Sequence, residues 1–129
     1  MPDHRTIADR FLDFYYGALG GPPAGLDVLY DDTSRYRTGG REASGRTAIM
    51  SLIDHRLGGT HKILTAMAHE AGGRSEAGSV IVAATGISFS GTDGAAIPFI
   101  ETFRITPTEP EDEAPPFLIA VQNFQPSLN

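Results

Sequence analysis

The chain has 129 residues, 40% of them apolar, with no cysteine and a formal net charge of −6. That length points to one domain with one core, burying roughly two-thirds of the unfolded surface. Disulfides and thiolate metal sites are excluded, apolar runs such as Val80 to Ala84 are too short to span a bilayer, and the scattered basic residues form no stripe for gripping nucleic acid.

Asp3 or Thr6 can cap a first helix that runs to about Leu19, with Ile7, Phe11, Phe14, Tyr15 and Ala18 recurring at helical spacing. Gly20-Gly21 ends it. Pro22-Pro23 suits the first turn of a short second helix carrying Leu26, Leu29 and Tyr30. Thr33 to Thr38 reads as a short strand and Gly39-Gly40 as a turn. Thr47 to Leu57 reads as a third helix, with Ile49, Met50, Ile53 and Leu57 as its stripe and Gly58-Gly59 at its end.

From there the period changes from helical to alternating. His61 to Glu70, Ser79 to Phe89, Ala96 to Thr106 and Phe117 to Phe124 read as strands, separated by Gly- and Pro-rich breaks. The run Glu109-Pro110-Glu111-Asp112-Glu113 reads as a solvated hairpin loop, because strand pattern resumes straight after it. Helices first and then a meandering antiparallel sheet is an α+β order.

Candidates for chemistry are few. Asp31 and Asp32 fall in a turn before a strand. Glu101 has apolar neighbours in a strand, and its spacing allows either the inner or the outer sheet face. His69 reads as a sheet-face residue, and His55 and His61 as solvated residues near element ends. No paired carboxylates, His–Asp couple or metal-ligand cluster stands at useful spacing, so no catalytic residue, metal or cofactor is assigned. Gly20-Gly21 and Gly39-Gly40 are turns rather than phosphate loops.

Taken in order, Phe11-x-x-x-Tyr15-Tyr16, Leu29-Tyr30, Ser34-x-Tyr36-x-x-Gly39-Gly40, Lys62-Ile63, Ala68-His69, Gly86, Phe99-x-x-Thr102-Phe103 and Phe124 resemble the nuclear transport factor 2-like fold from Ile7 to Phe124. That fold is a cone: three N-terminal helices packed on a curved antiparallel sheet. Tyr36-x-x-Gly39-Gly40, Lys62-Ile63 and Ala68-His69 are most similar to the N-terminal domain of the stress-granule scaffold proteins that bind the SH3 domain of a Ras GTPase-activating protein.

The resemblance implies a non-enzymatic homodimer built through the sheet, in a cytoplasmic RNA-binding scaffold. It also implies a groove for short Phe-containing peptides. Carried over, the groove falls on Ile7, Phe11, Leu29 and Phe124, with partly exposed rings; Leu29 keeps an apolar wall but no stacking face, and Val121 and Gln122 replace the family's polar pair. Aromatics at such helical positions are core more often than not, and Tyr15 and Tyr16 read as structural.

The same fold hosts isomerases, dehydratases and epoxide hydrolases. Arg37 and Thr38 stand roughly where ketosteroid isomerases carry a basic Asp. A transport-factor reading would need acids at the cone's mouth, where this chain has Gly39 and, in the later loop, only Asp93. The opening Met1-Pro2-Asp3-His4-Arg5 is read as no secretory signal. The closing Gln125-Pro126-Ser127-Leu128-Asn129 reads as a cut before a linker, so a single domain over 1–129 at the start of a longer RNA-binding protein is expected.

Overall fold

The computed structural model describes residues 4–57, 59–70, 79–89, 95–108 and 117–127; the acidic run 109–113 and Asp93 lie outside them, as does the capping position Asp3. The elements in chain order are α1 (His4–Leu19), α2 (Pro23–Asp27), β1 (Arg35–Thr38), β2 (Arg41–Ser44), α3 (Arg46–Ile53), a 3-10 turn (Asp54–Arg56), β3 (Thr60–Glu70), β4 (Val80–Phe89), β5 (Ala96–Pro107) and β6 (Phe117–Pro126). The strands form one curved six-stranded sheet in the order β2-β1-β6-β5-β4-β3. No helix among the described residues is long and apolar enough to cross a membrane.

The expected wholly antiparallel sheet is corrected at one seam. β1 pairs parallel to β6, Tyr36 beside Gln122 and Thr38 beside Phe124. Parallel neighbours need a long crossover, and α3 with β3 to β5 supplies it. β2 is a second correction: Arg41-Glu42-Ala43-Ser44 lacks an apolar alternation, yet it pairs with β1. The turn between them holds Gly39 and Gly40 at φ of 52° and 82°, the positive pair that a two-residue hairpin demands.

The start of β1 is pinned from within. Asp31 Oδ1 accepts from the Thr33 amide and hydroxyl at 2.8 and 2.7 Å; the Thr33 hydroxyl is the largest of the effects that hold the Asp31 carboxyl below its usual range. Ser34 then donates to the Ile119 carbonyl at 2.6 Å, tying this turn to β6.

α1 buries Ala8, Phe11, Leu12, Tyr15 and Leu19, a face rotated from the stripe read in the sequence. The broad sheet beneath takes this face. The remaining apolar residues of the expected stripe, Ile7, Phe14 and Ala18, fall on one flank, with Phe14 38% exposed. Phe11 packs edge-on against Phe103 and Phe117, with ring centroids 4.9 and 5.7 Å away, so the middle of α1 is fixed by aromatic contacts from two neighbouring strands.

Gly86 of β4 sits opposite Phe99 of β5 and Ile63 of β3, beside a register shift between Ile63 and Thr65. A Cβ there would overlap the Lys62 carbonyl oxygen and come 2.9 Å from the Phe99 ring. Gly86→Ala should therefore destabilise the fold by about 1–3 kcal/mol through overpacking. Gly25→Ala in α2, where nothing lies within 4 Å, should instead stabilise it by about 0.5–1 kcal/mol. Urea unfolding of the two variants checks both signs.

Candidate functional site

Inward and outward residues alternate along β5: Phe99, Glu101 and Phe103 are buried, whereas Ile100 is 52% exposed. Glu101 is therefore inward, at 0% exposure. A carboxylate there needs partners, because an unpaired buried charge costs several kcal/mol. Its principal partner is Arg56, delivered by the 3-10 turn after α3. Nη1 donates to Oε2 at 2.8 Å and Nη2 to Oε1 at 2.9 Å, the parallel two-point geometry that suits a guanidinium.

All four tyrosines of the chain join this pair. Tyr16 donates to Glu101 Oε1 at 2.8 Å. The Tyr15 and Tyr36 hydroxyls accept from Arg56 Nη1 at 3.3 and 3.4 Å. Tyr30 donates to Gln122 Oε1 at 2.5 Å, and Gln122 Nε2 donates to Tyr15 and to Glu101 Oε2, both at 2.6 Å. Burial is the largest effect on each phenol and raises its pKa, so all four stay protonated. Burial is the largest effect on Arg56 and works against its charge, but the Glu101 carboxylate together with Tyr15 and Tyr36 outweighs it and holds the guanidinium firmly protonated. The guanidinium carbon also lies 3.6 Å above the Phe124 ring.

His61, expected to be solvated, is half-buried beside this cluster. Its Nδ1 is 2.8 Å from Ser88 Oγ, and its Nε2 is buried without a partner among the described residues. Burial and then the Arg56 charge lower its pKa from 6.5. His69 is exposed on the sheet, as read. No group of His, Cys, Asp or Glu among the described residues could hold a metal ion.

The residues expected to form a peptide groove divide into two places. Ile7 is half-buried on the α1 flank, and Phe11 and Leu29 are both 0% exposed. Leu29 accepts from the Ile119 amide at 2.8 Å, which draws it to the start of β6. The aromatic standing there is Phe117, in ring contact with Phe11. Phe124 lies seven residues further on, roughly 23 Å along an extended strand. It packs against Phe99 at 5.3 Å and under Arg56, and is 5% exposed. The partly exposed rings and the pairing of Phe11 with Phe124 are thus corrected: Phe11 and Leu29 share a neighbourhood with Phe117, and their rings and side chains are covered.

Two outcomes follow. Arg56→Met should cost about 3–5 kcal/mol, because it strands a buried carboxylate, and the Arg56→Met, Glu101→Leu pair should recover most of that loss; a double-mutant cycle in urea reads it. Between the lowered folded pKa of His61 and its unfolded value of 6.5, the unfolded chain binds a proton that the folded chain does not. Stability should therefore be full above about pH 6.5 and fall as pH drops through that window. His61→Gln should flatten that slope in unfolding measured across the window.

Solved structures share the fold. Yeast UBP3-associated protein BRE5 superposes with a TM-score of 0.79 at 21% identity, covering 100% of both chains. Nuclear transport factor 2 from Cryptosporidium parvum gives 0.77 at 19% identity, covering 98% of this chain and 96% of that one. The putative ketosteroid isomerase of Parabacteroides distasonis gives 0.65 at 12% identity, covering 94% and 88%. No curated protein sequence matches the chain significantly. The profile of the nuclear transport factor 2 (NTF2) domain matches residues 7–113, more than half of the chain, and the chain belongs to that family.

Proposed function

We propose that this domain is a dimerising protein-interaction module that captures short Phe-containing peptides, and that it does no chemistry of its own. One observation carries the reading: among the described residues, large apolar side chains are left exposed on the outer face of the sheet and on the α1 flank. Leu64, Met67, Ile81, Ile100 and Val121 are 54, 61, 37, 52 and 46% exposed. By register Met67, Ile81, Ile100 and Val121 project from the outer face of the sheet, and Leu64 sits in the irregularity beside it. Exposed apolar side chains gathered on one sheet face mark a contact surface, and here its occupant is a second copy of the chain. Both oxygens of Glu101 are already engaged by Arg56, Tyr16 and Gln122, which leaves this carboxylate no oxygen free to act on a substrate.

The second surface lies on the α1 flank. Phe14 is 38% exposed, and Ile7 lies two helical turns before it on the same flank. On the buried side of α1, Phe11 packs against Phe117 of β6, the strand to which Leu29 is tied. A peptide Phe seated on the flank gains roughly 1.5–3 kcal/mol, so a two-Phe peptide binds at about micromolar strength once its ordering is counted. A dimer then gains avidity from tandem motifs. BRE5 is solved in a complex with the yeast deubiquitinase Ubp3 as its cofactor, and protein binding by a related fold supports the same class of role here. RNA is reached through other parts of a longer parent protein, in keeping with the net charge of −6.

Sedimentation should give a dimer of the 13.8 kDa chain, and Ile100→Lys should give a monomer that keeps its fold. A wild-type monomer at high micromolar concentration would end the dimer reading. Phe14→Asp should abolish calorimetric binding of a Phe-Gly-x-Phe peptide without unfolding the domain, and undiminished binding would remove the flank as the site.

A further inference from the structure

We propose that the space between the helices and the sheet is a guanidinium receptor, which the chain fills with its own Arg56. The recognising groups surround a flat cation on two sides. Glu101 meets its edge with both carboxylate oxygens, at 2.8 and 2.9 Å. The Phe124 ring meets its face, 3.6 Å from the guanidinium carbon. Edge recognition by a carboxylate together with stacking on an aromatic face selects a guanidinium over an ammonium, which has neither the plane nor the fork.

The receptor side is held independently of its occupant. Tyr16 donates to Glu101 Oε1 and Gln122 to Oε2, while Tyr30 orients the Gln122 amide. These groups come from α1, the segment after α2, β5 and β6, whereas the cation comes from the separate 3-10 turn. Glu101 and Gln122 are 0 and 1% exposed, so the carboxylate faces no competing water. Removing the Arg56 side chain would leave a hole of its own shape ending at an oriented carboxylate, with only the two Nη positions to be refilled. The ligand class is an alkylguanidinium cation, supplied either as a small molecule or as an arginine side chain of another chain. In the wild type the tethered Arg56 outcompetes both.

The test is thermal unfolding of Arg56→Ala with ethylguanidinium, with acetyl-arginine-amide, and with ethylammonium as control, all at low millimolar concentration. Ethylguanidinium should raise the Tm of the variant in a saturable way by mass action, and ethylammonium should not. The wild type and the Arg56→Ala, Glu101→Gln double variant should not respond. A matching response to acetyl-arginine-amide identifies the receptor as open to arginine from another chain, and a response to ethylguanidinium alone restricts it to small cations. Should Arg56→Ala be unfolded on its own, ethylguanidinium must restore its far-UV circular dichroism. The proposal is overturned by no gain over ethylammonium, by an equal gain in the double variant, or by no restoration of an unfolded Arg56→Ala.

Discussion

An ion pair inside a hydrophobic core costs more to desolvate than it usually returns, unless its geometry is near ideal and its remaining valences are filled. The Arg56–Glu101 pair meets that condition, and the surrounding architecture follows from it. Four tyrosines and Gln122 reach the pair from α1, the segment after α2, β1 and β6, so every layer of the domain contributes a hydrogen bond to one polar centre. Hydrophobic contact alone tolerates sliding. A network of this kind does not, because a small shift leaves buried donors and acceptors unpaired. The helices are thereby registered against the sheet.

The same pair decides what kind of surface the protein can offer. An NTF2-like cone that keeps an acid free in an open chamber can do proton chemistry. Here the acid is neutralised and covered, and the apolar area left to interact is on the outside. Structures related at 12–21% identity, from the putative isomerase to nuclear transport factor 2, share the fold, so the fold alone does not decide the role.

Much of the fold was legible because periodicity is local. The long strands after Gly59 alternate cleanly, and α1 announces itself by its apolar recurrence. What escaped was set by distant partners. The parallel seam between β1 and β6 joins residues 86 positions apart, as Arg35 with Val121, and nothing within Arg35–Thr38 signals it. β2 is polar because it is an edge strand with an exposed face. The rotation of α1 reflects which face the sheet accepts, and helical spacing alone does not choose between adjacent faces. Within the site, Glu101 shares the inward parity of Phe99 and Phe103, so its burial could be inferred. Its partner could also have been found: Arg56 continues the Ile49, Ile53 stripe of α3 by three residues, placing a cation on a core-facing surface. Phe117 and Phe124 both point inward from β6, and only the tie between Leu29 and Ile119 tells which end of the strand meets α1.

The placement of β6 between β1 and β5 has a consequence for the birth of the molecule. The hairpin of β1 and β2 is synthesised early, together with α1 and α2, yet its only route into the sheet is a strand made near the end of the sequence. On the ribosome the β3–β5 meander can pair as it emerges and can take α1 against β3, β4 and Phe103, whereas the β1–β2 hairpin must wait, with Tyr15 and Tyr30 still without Gln122 and with Phe11 still without Phe117. Closure is a late, long-range event whose loop entropy is met all at once. Until then the nascent chain leaves the edge of β5 and one side of Phe11 uncovered, and the emergence of β6 is the step that closes both.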